Sequence, residues 1–239
     1  MTTRINALGQ PIGPALPGWT ARPRPPRTPM EGRTVRLVPL DPQGHGDQLW
    51  EAFSSDASGR MWTYLPVGPY ADRSAFDADL VKNAESEDPL FFTVIDRGTG
   101  KAVGFATYLR IDPPVGVIEV GFISFSPLLQ RTTASTETMY LMMARVFDEL
   151  GYRRYEWKCD ALNAPSRAAA ARLGFGFEGI FRQATIYKGR NRDTAWFSIL
   201  DSEWPAIKRG FQAWLEPANF TGDGGQKRSL SALIAAERP

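Results

Sequence analysis

The chain has 239 residues, with 28 basic and 26 acidic side chains and a formal net charge of +2. This balance indicates neither a nucleic-acid partner nor a membrane surface. A single histidine (His45) and a single cysteine (Cys159) exclude an internal disulfide and a zinc site built from several such ligands, so we expect no metal. A triad with a histidine base could use only His45, so acid–base chemistry should fall to carboxylates, hydroxyls or backbone groups.

The N-terminal 30 residues contain seven prolines, which predicts an extended arm because proline fixes φ and removes a hydrogen-bond donor. The arm is either a flexible tail or a segment laid over the domain or a neighbour and anchored by Leu16 and Trp19. No apolar run is long enough for a transmembrane helix or a secretory signal. A cytoplasmic location is therefore expected, in keeping with the low cysteine content.

Residues 31–215 are predicted to form one mixed α/β domain, and residues 216–239 a mixed C-terminal tail. Alternating or short apolar runs predict strands, whereas apolar residues at three-and-four spacing predict helices. In chain order the predicted elements are a strand over 34–40, helices over 43–58 and 73–87, strands over 91–95, 102–111 and 115–125, a helix over 134–150, a strand over 154–159, a helix over 163–173, strands over 175–188 and 193–200, and a helix over 202–215.

A polar loop joins the strand over 115–125 to the clearest predicted helix. The first turn of a helix presents unsatisfied N–H groups and the positive end of the dipole, so this junction can bind a phosphate. Arg131 adds a positive charge. The alternative is that Thr132 or Thr133 simply caps the helix.

Glu119 has apolar neighbours on both sides and is predicted to lie on a central strand. Burial would raise its pKa toward the range useful for a general base. The alternative is a structural ion pair with Arg110 or Lys158.

Asn163 and Ser166 open the predicted helix over 163–173, where Asn163 can act as its cap and Ser166 lies in its first turn. Capping alone is the alternative. Cys159 is expected to be a small core residue, because no histidine lies near it in the sequence.

Together, these segments resemble the GNAT superfamily of acetyl-CoA-dependent N-acetyltransferases, and most of all the branch that acetylates ribosomal-protein N-termini. The resemblance covers about residues 33–205. The family's pyrophosphate loop has the pattern Gln/Arg-x-x-Gly-x-Gly/Ala, and Gln130 matches its first position. Thr133 stands where Gly is expected, and Ser135 where Gly or Ala is expected.

Two further motifs carry the resemblance. Asn163-x-x-Ser166, followed by Leu173-Gly174-Phe175, matches the branch closely. Glu119 matches the acidic residue of the family's Glu-x-Gly-aromatic strand motif.

The resemblance implies a single GNAT-like domain, in which helices flank a central, largely antiparallel twisted sheet. It implies acetyl-CoA as co-substrate and direct attack of a primary amine on the thioester. Glu119 would be the base, Ser166 the donor to the leaving thiolate, and Asn163 the residue that orients the cofactor or Ser166; Tyr187 is a weaker alternative acid. The expected cofactor-binding residues are Phe122, Ile123, Ser124, Gln130, Arg131, Thr132, Thr133, Ala134, Ser135, Thr136, Asn163 and Ser166.

The acceptor site is expected between residues 43–87 and the strand pair 175–200, where aromatic and acidic groups suit a cationic amine. These groups are Trp50, Trp62, Tyr64, Tyr70, Phe181, Tyr187, Trp196, Asp56 and Asp72. The basic hairpin tip 188–193 is interpreted as a solvated turn.

Three functions are consistent with the motifs. The first is an N-acetyltransferase for a small amine, amino acid or amino sugar, and the second is a protein N-terminal or lysyl acetyltransferase. The third is a non-catalytic acetyl-CoA-binding module, which Thr133 in place of the family glycine keeps open. Many proteins of the family dimerise, so the resemblance also allows a homodimer.

Overall fold

The computed structural model describes residues 3–238 and is organised around one eight-stranded sheet. Two short strands, Arg4–Ile5 (β1) and Pro11–Ile12 (β2), form a separate hairpin. The sheet consists of Met30–Glu31 (β3), Val35–Pro39 (β4), Leu90–Asp96 (β5), Ala102–Asp112 (β6), Val117–Phe125 (β7), Arg154–Asp160 (β8), Gly176–Tyr187 (β9) and Arg190–Leu200 (β10). Their spatial order is β3-β4-β5-β6-β7-β8-β10-β9, and only the pair β7–β8 is parallel.

Helices cover both faces of the sheet, which confirms the predicted mixed α/β architecture. They are Pro42–Ser54 (α1), Arg73–Glu85 (α2), Thr133–Ala144 (α3), Ala164–Arg172 (α4), Trp204–Leu215 (α5) and Leu230–Glu237 (α6). One core packs α3, α5 and α6 against one face, and a second core packs α1 and α2 against the other. None of the helices within residues 3–238 is long and apolar enough to cross a membrane.

Two helix boundaries differ from the sequence prediction. The helix predicted over 43–58 ends at Ser54, and a separate 3-10 turn follows at Arg60–Trp62. The left-handed φ of +66° at Gly59, just before this turn, is incompatible with a continuous helix. The helix predicted over 134–150 is α3 followed by a π-helical turn at Arg145–Glu149.

Part of the N-terminal arm lies on the domain. The indole Nε1 of Trp19 donates to the carbonyl of Pro114 at 2.8 Å, and the Arg22 guanidinium stacks 4.2 Å from the same ring. Buried Arg145 donates to the carbonyls of Thr28 and Pro29 at 2.7 and 2.9 Å. Trp19 therefore anchors the arm, in keeping with the second of the two alternatives, whereas the Leu16 side chain is 51 % exposed.

The C-terminal segment contributes three residues to the main core, beyond residue 215 where the predicted domain ends. Leu230, Leu233 and Ile234 of α6 are buried with the residues of α5, and Ser229 caps the helix through the Ala232 amide. The signal was present in the sequence, because these three residues have the spacing of one helical face after a serine cap.

The contact between α5 and α6 depends on Gly210. A Cβ at this position would lie 2.6 Å from Ile234 Cγ1 and 2.8 Å from its Cα. We expect Gly210→Ala to lower the free energy of unfolding by about 1–3 kcal/mol, because the backbone of α6 must move. The intrinsic helix preference of alanine over glycine would by itself raise the free energy of unfolding by ~1 kcal/mol. A lower free energy of unfolding in Gly210→Ala would therefore be caused by the clash with Ile234.

Thermal or urea unfolding measures this effect, with Gly222→Ala as the matched control. A Cβ at Gly222 would have no other atom within 4 Å, and the backbone there does not adopt a left-handed φ. Equal stability of the two variants would contradict the close packing of α5 on α6.

Candidate active site

The sheet opens where β7 and β8 separate. The two strands are in register from Val117 opposite Arg154 to Val120 opposite Trp157, after which β7 continues alone along β6. A bulge then leaves Phe122 and Ile123 without a register partner in β6, and Phe122 has a φ of +46°. Such a left-handed φ is costly for a bulky residue and is typical of functional sites. The backbone at Phe122 and Ile123 therefore has no register partner in either β6 or β8.

A cavity of about 1330 Å³ lies at this gap. Sites for one small molecule typically measure roughly 300–1,000 Å³, so this cavity has room for two substrates. Glu119, Asn163 and Ser166, the predicted catalytic residues, all line it. The predicted cofactor-binding residues that line it are Phe122, Ile123, Gln130, Arg131, Thr132, Thr133, Ser135, Thr136, Asn163 and Ser166.

Two of the predicted cofactor-binding residues, Ser124 and Ala134, are buried and are absent from the cavity wall. The Ser124 hydroxyl is directed at the carbonyl of Phe122, and Ala134 packs in the core beneath α3. Strand and helix periodicity explains both positions, because neighbouring side chains point in different directions. A ligand in the cavity could meet these residues only through their backbone.

The N-terminus of α3 opens into the cavity and is capped by Thr132. Its Oγ1 accepts the Ser135 amide at 3.1 Å and donates to the carbonyl of Leu129 at 2.7 Å. Gln130 Nε2 folds back onto the carbonyl of Phe125 at 2.7 Å, which fixes the loop. The cap uses one amide of the first turn, and the others lack intrahelical acceptors. Capping and phosphate binding are therefore compatible at this terminus.

Glu119 is 2 % exposed and lies between two cations. Its Oε1 accepts a hydrogen bond from Arg110 Nη1 at 2.7 Å, and Lys158 Nζ lies 2.9 Å from its Oε2. Both ion-pair partners considered from the sequence are thus present. Burial raises the pKa of Glu119 by more than Lys158 and Arg110 lower it. A carboxylate with a raised pKa at a cavity wall is suited to accept a proton.

Lys158 is held in place by more than Glu119. Its Nζ is 2.7 Å from an oxygen of Glu156 and 3.8 Å from the ring centre of Trp196. Two carboxylates and an aromatic face compensate for its burial. Trp196, predicted for the acceptor site, therefore lies behind Lys158 and stacks on Phe181, and neither ring lines the cavity.

Ser166 lies on the other side of the gap. Asn163 caps α4, because its Oδ1 accepts the Ser166 amide at 3.1 Å. The indole Nε1 of Trp157 donates to Ser166 Oγ at 3.0 Å, which leaves the hydroxyl proton available for donation. Burial raises the pKa of the neighbouring Cys159 thiol by more than the Ser166 hydroxyl lowers it. Cys159 is therefore a protonated, buried thiol and not an activated nucleophile.

Tyr187 also lines the cavity, but its proton is engaged. The phenol donates to Asp160 Oδ2 at 2.7 Å. Burial, followed by the hydrogen bond and charge of Asp160, raises the pKa of Tyr187 to about 12. The phenolic proton is therefore already donated to Asp160, and this engagement favours Ser166 as the donor.

Three contacts, which we call the roof, join residues 62–64 to other segments beside the cavity, and of the residues that make them only Tyr64 lines it. Lys188 Nζ donates to the carbonyl of Trp62 and Arg190 Nη2 to that of Thr63, both at 2.7 Å. The Tyr64 hydroxyl reaches the carbonyl of Leu162 at 3.2 Å. The hairpin tip 188–193 thus contacts residues 62–63 through two side chains, while residues 188–191 remain exposed as the solvated-turn interpretation predicted.

The remaining residues predicted for the acceptor site are dispersed. Trp50, Trp62 and Tyr70 line a separate cavity of about 270 Å³, and Asp56 contributes to both cavities. Asp72 caps α2 through the Ala75 amide. Three arginines that the sequence analysis did not assign to a site line the main cavity: Arg60, Arg172 and Arg192. Within residues 3–238 no group of three or more His, Cys, Asp or Glu side chains is arranged to hold a metal ion.

The sequence profile described as acetyltransferase (GNAT) domain matches residues 34–176. The chain belongs to the GNAT acetyltransferase family. A GCN5-related N-acetyltransferase from Brucella melitensis is 54 % identical, with a TM-score of 0.91, over 92 % of this chain and 100 % of that one. A structure from Chromobacterium violaceum described as a GNAT-family acetyltransferase is 42 % identical, with a TM-score of 0.76, over 82 % of this chain and 98 % of that one.

More distant members of the GNAT family share the fold. A structure from Vibrio cholerae described as a ribosomal-protein-serine acetyltransferase is 18 % identical, with a TM-score of 0.63, over 72 % of this chain and 97 % of that one. No curated protein matches the chain. The protein is thus an acyltransferase with the GNAT fold, as the motifs predicted.

Proposed function

We propose that this GNAT protein transfers an acetyl group from acetyl-CoA to a primary amine of a small acceptor, such as a simple amine, an amino acid or an amino sugar. The observation that carries the proposal is the gap between β7 and β8. Glu119 and Lys158 lie on one face of the sheet, whereas Trp157, which holds Ser166, lies on the other. A thioester threaded through the gap can meet both Ser166 and Glu119.

The residues at the gap fit the cofactor. Amide groups of a pantetheine arm can pair with the unpaired backbone at Phe122 and Ile123, as an added strand does. The first turn of α3 and the charge of Arg131 can hold the pyrophosphate. Acetyl-CoA supplies an activated acyl group, so no covalent enzyme intermediate is needed.

Three groups of this chain would perform the chemistry. Glu119 accepts the proton of the acceptor amine, since free amines are largely protonated near pH 7. Backbone amides near Phe122 and Ile123 donate to the oxyanion that develops when the amine nitrogen bonds to the acyl carbon. Ser166 donates to the sulfur as the carbon–sulfur bond breaks.

The roof supports a small acceptor. Two of its contacts tie the β9–β10 hairpin to residues 62 and 63, and the third ties Tyr64, which lines the cavity, to Leu162. A small amine fits beside the roof, whereas a folded protein would have to insert a terminus or a lysine past it. Arg60 and Arg192 also line this cavity, so the acceptor half is less acidic than the sequence pattern predicted.

A thiol-release assay with acetyl-CoA tests the proposal over a panel of simple amines, amino acids, amino sugars and peptides. Turnover with one of the small classes supports it. Turnover with peptides alone would overturn the small acceptor and favour a protein acetyltransferase. Acetyl-CoA binding without thiol release for any amine would identify a non-catalytic module.

Thr133 at the family's glycine position should not prevent cofactor binding. It is the first residue of α3, whereas the left-handed φ of +62° in this loop belongs to Arg131. Glycine is therefore not required at 133 for conformational reasons. We expect Thr133→Gly to change the acetyl-CoA dissociation constant by less than about tenfold, or ~1.4 kcal/mol.

Isothermal titration calorimetry measures this constant, with Thr132→Gly as the comparison because it removes the cap of the same helix. A change of much more than tenfold in Thr133→Gly would show that the Thr133 side chain itself determines how the phosphates are bound.

A further inference from the structure

Arg172, at the end of α4, is a half-buried cation with no carboxylate beside it among residues 3–238. Its Nη1 and Nη2 each lie 3.1 Å from Thr136 Oγ1, and its guanidinium carbon is 5.2 Å from the ring centre of Trp214. Burial lowers the pKa of Arg172, and no charged neighbour opposes the shift. Arg154 in β8, by contrast, pairs with both Glu156 and Glu178. Partial desolvation of a charge without a counter-charge is unfavourable, which indicates that an anion completes this site.

The position of Arg172 in the cavity relates it to the rest of the site. Ser166 lies in the first turn of α4 and Arg172 in its last, so their backbones are about 9 Å apart along the helix. Thr136 is one turn beyond the Thr132 cap of α3. Both Thr136 and Arg172 line the cavity. Arg172 therefore lies most of the length of α4 away from Ser166, in the part of the cavity where it meets Thr136.

The C-terminal segment closes this end of the cavity. Its contribution lies outside residues 34–176 that match the family profile, and consists of Trp214, Phe220, Gly224 and Gln226. Trp214 Nε1 donates to Gln226 Oε1 at 2.7 Å, and the rings of Trp214 and Phe220 meet edge to face at 5.1 Å. This wall keeps Arg172 partly desolvated.

We propose that Arg172, together with Thr136, binds the 3′-phosphate of the coenzyme A nucleotide, and that the C-terminal wall packs against that nucleotide. The proposal rests on the acetyl-CoA dependence proposed above. The pyrophosphate is assigned to the first turn of α3, which leaves the ribose phosphate for the guanidinium. The planar guanidinium presents several N–H donors to phosphate oxygens. Thr136 Oγ1 accepts from Arg172, so its own proton is available to the same phosphate.

Binding of coenzyme A and 3′-dephospho-coenzyme A, measured by calorimetry, tests this assignment. We expect the wild-type protein to bind coenzyme A at least tenfold more tightly, and Arg172→Gln to bind the two ligands alike. An unchanged preference in Arg172→Gln would overturn the assignment. An equal loss of affinity for both ligands would also overturn it, because the lost contact would then be to the pyrophosphate.

Arg167→Gln is the matched control, since Arg167 is on the same helix but outside the cavity wall and donates to the Ala161 carbonyl at 3.2 Å. This variant should keep the wild-type preference. Thr136→Val is the second variant if Arg172→Gln does not fold, and we expect it to reduce the preference.

The same binding experiment distinguishes failure of the proposed acetyl-CoA dependence from failure of the Arg172 assignment. A wild-type protein that binds neither ligand would contradict the acetyl-CoA dependence itself. Wild-type binding of coenzyme A without discrimination between the two ligands would contradict only the role of Arg172.

Discussion

Replacement of Glu119 by glutamine should lower kcat by about 10²–10⁴-fold while acetyl-CoA still binds. Glutamine has nearly the same shape and retains an oxygen that can accept the hydrogen bond from Arg110, whose Nη1 is 2.7 Å from Oε1 in the native site. It cannot accept the proton of the attacking amine. The loss should therefore appear in turnover, and the calorimetric affinity for acetyl-CoA should stay close to that of the wild type.

The pH dependence separates a base from a structural ion pair. A general base acts only when deprotonated, so the wild-type kcat/KM should rise with pH as Glu119 loses its proton. Burial raises the pKa of Glu119, so this rise should be centred above the usual glutamate value of about 4.3. This rise of kcat/KM with pH should be absent from the residual activity of Glu119→Gln. An unchanged pH–rate profile in the variant would remove Glu119 as the base.

Glu156→Gln is the matched control for this experiment. Glu156 is opposite Glu119 in the β7–β8 register and shares Lys158 at 2.7 Å, but it is absent from the cavity wall. We expect it to keep the wild-type pH profile. Equal losses of turnover in the two variants would assign the effect to the ion-pair network around Lys158 and not to proton transfer.

The parts of the site that depend on local sequence were predictable. A polar loop before a strong helix predicted the capped helix start at residues 130–136, where Thr132 caps α3 at the cavity, because capping chemistry is decided within a few residues. The same holds for Asn163 and Ser166, where Asn163 accepts the Ser166 amide as expected. The separation of β7 from β8 after Val120 depends on how two distant strands pair, and spacing along the chain does not encode it.

Contacts between distant segments could not be obtained from periodicity. Lys188 and Arg190 look like the tip of an exposed hairpin, yet they donate to carbonyls 126 and 127 residues earlier in the chain. Trp196 has the character of an acceptor-site aromatic, but the β8–β10 register places it opposite Lys158. The alanines around Arg172 give no indication that its side chain contacts a ligand, because the proposed role depends on the distant C-terminal wall.

Replacement of Ser166 by alanine should lower kcat by about 10²-fold, near the lower limit for general acid catalysis. A thiol has a pKa of about 8.5 and leaves more easily than an alkoxide, so the donor matters less than the base. The hydrogen bond to sulfur strengthens only as the thiolate forms. The KM for acetyl-CoA should therefore change little while kcat falls.

Trp157→Phe is the informative companion to Ser166→Ala in the thiol-release assay. It removes the indole N–H that lies 3.0 Å from Ser166 Oγ, but it leaves the hydroxyl in place. We expect a smaller loss of kcat than in Ser166→Ala, because the donor is still present but less well oriented. Wild-type kcat in a folded Ser166→Ala variant would exclude Ser166 as the donor. The departing sulfur would then be stabilised by another group at the gap, and Tyr187, the alternative acid on the cavity wall, would be the next residue to replace.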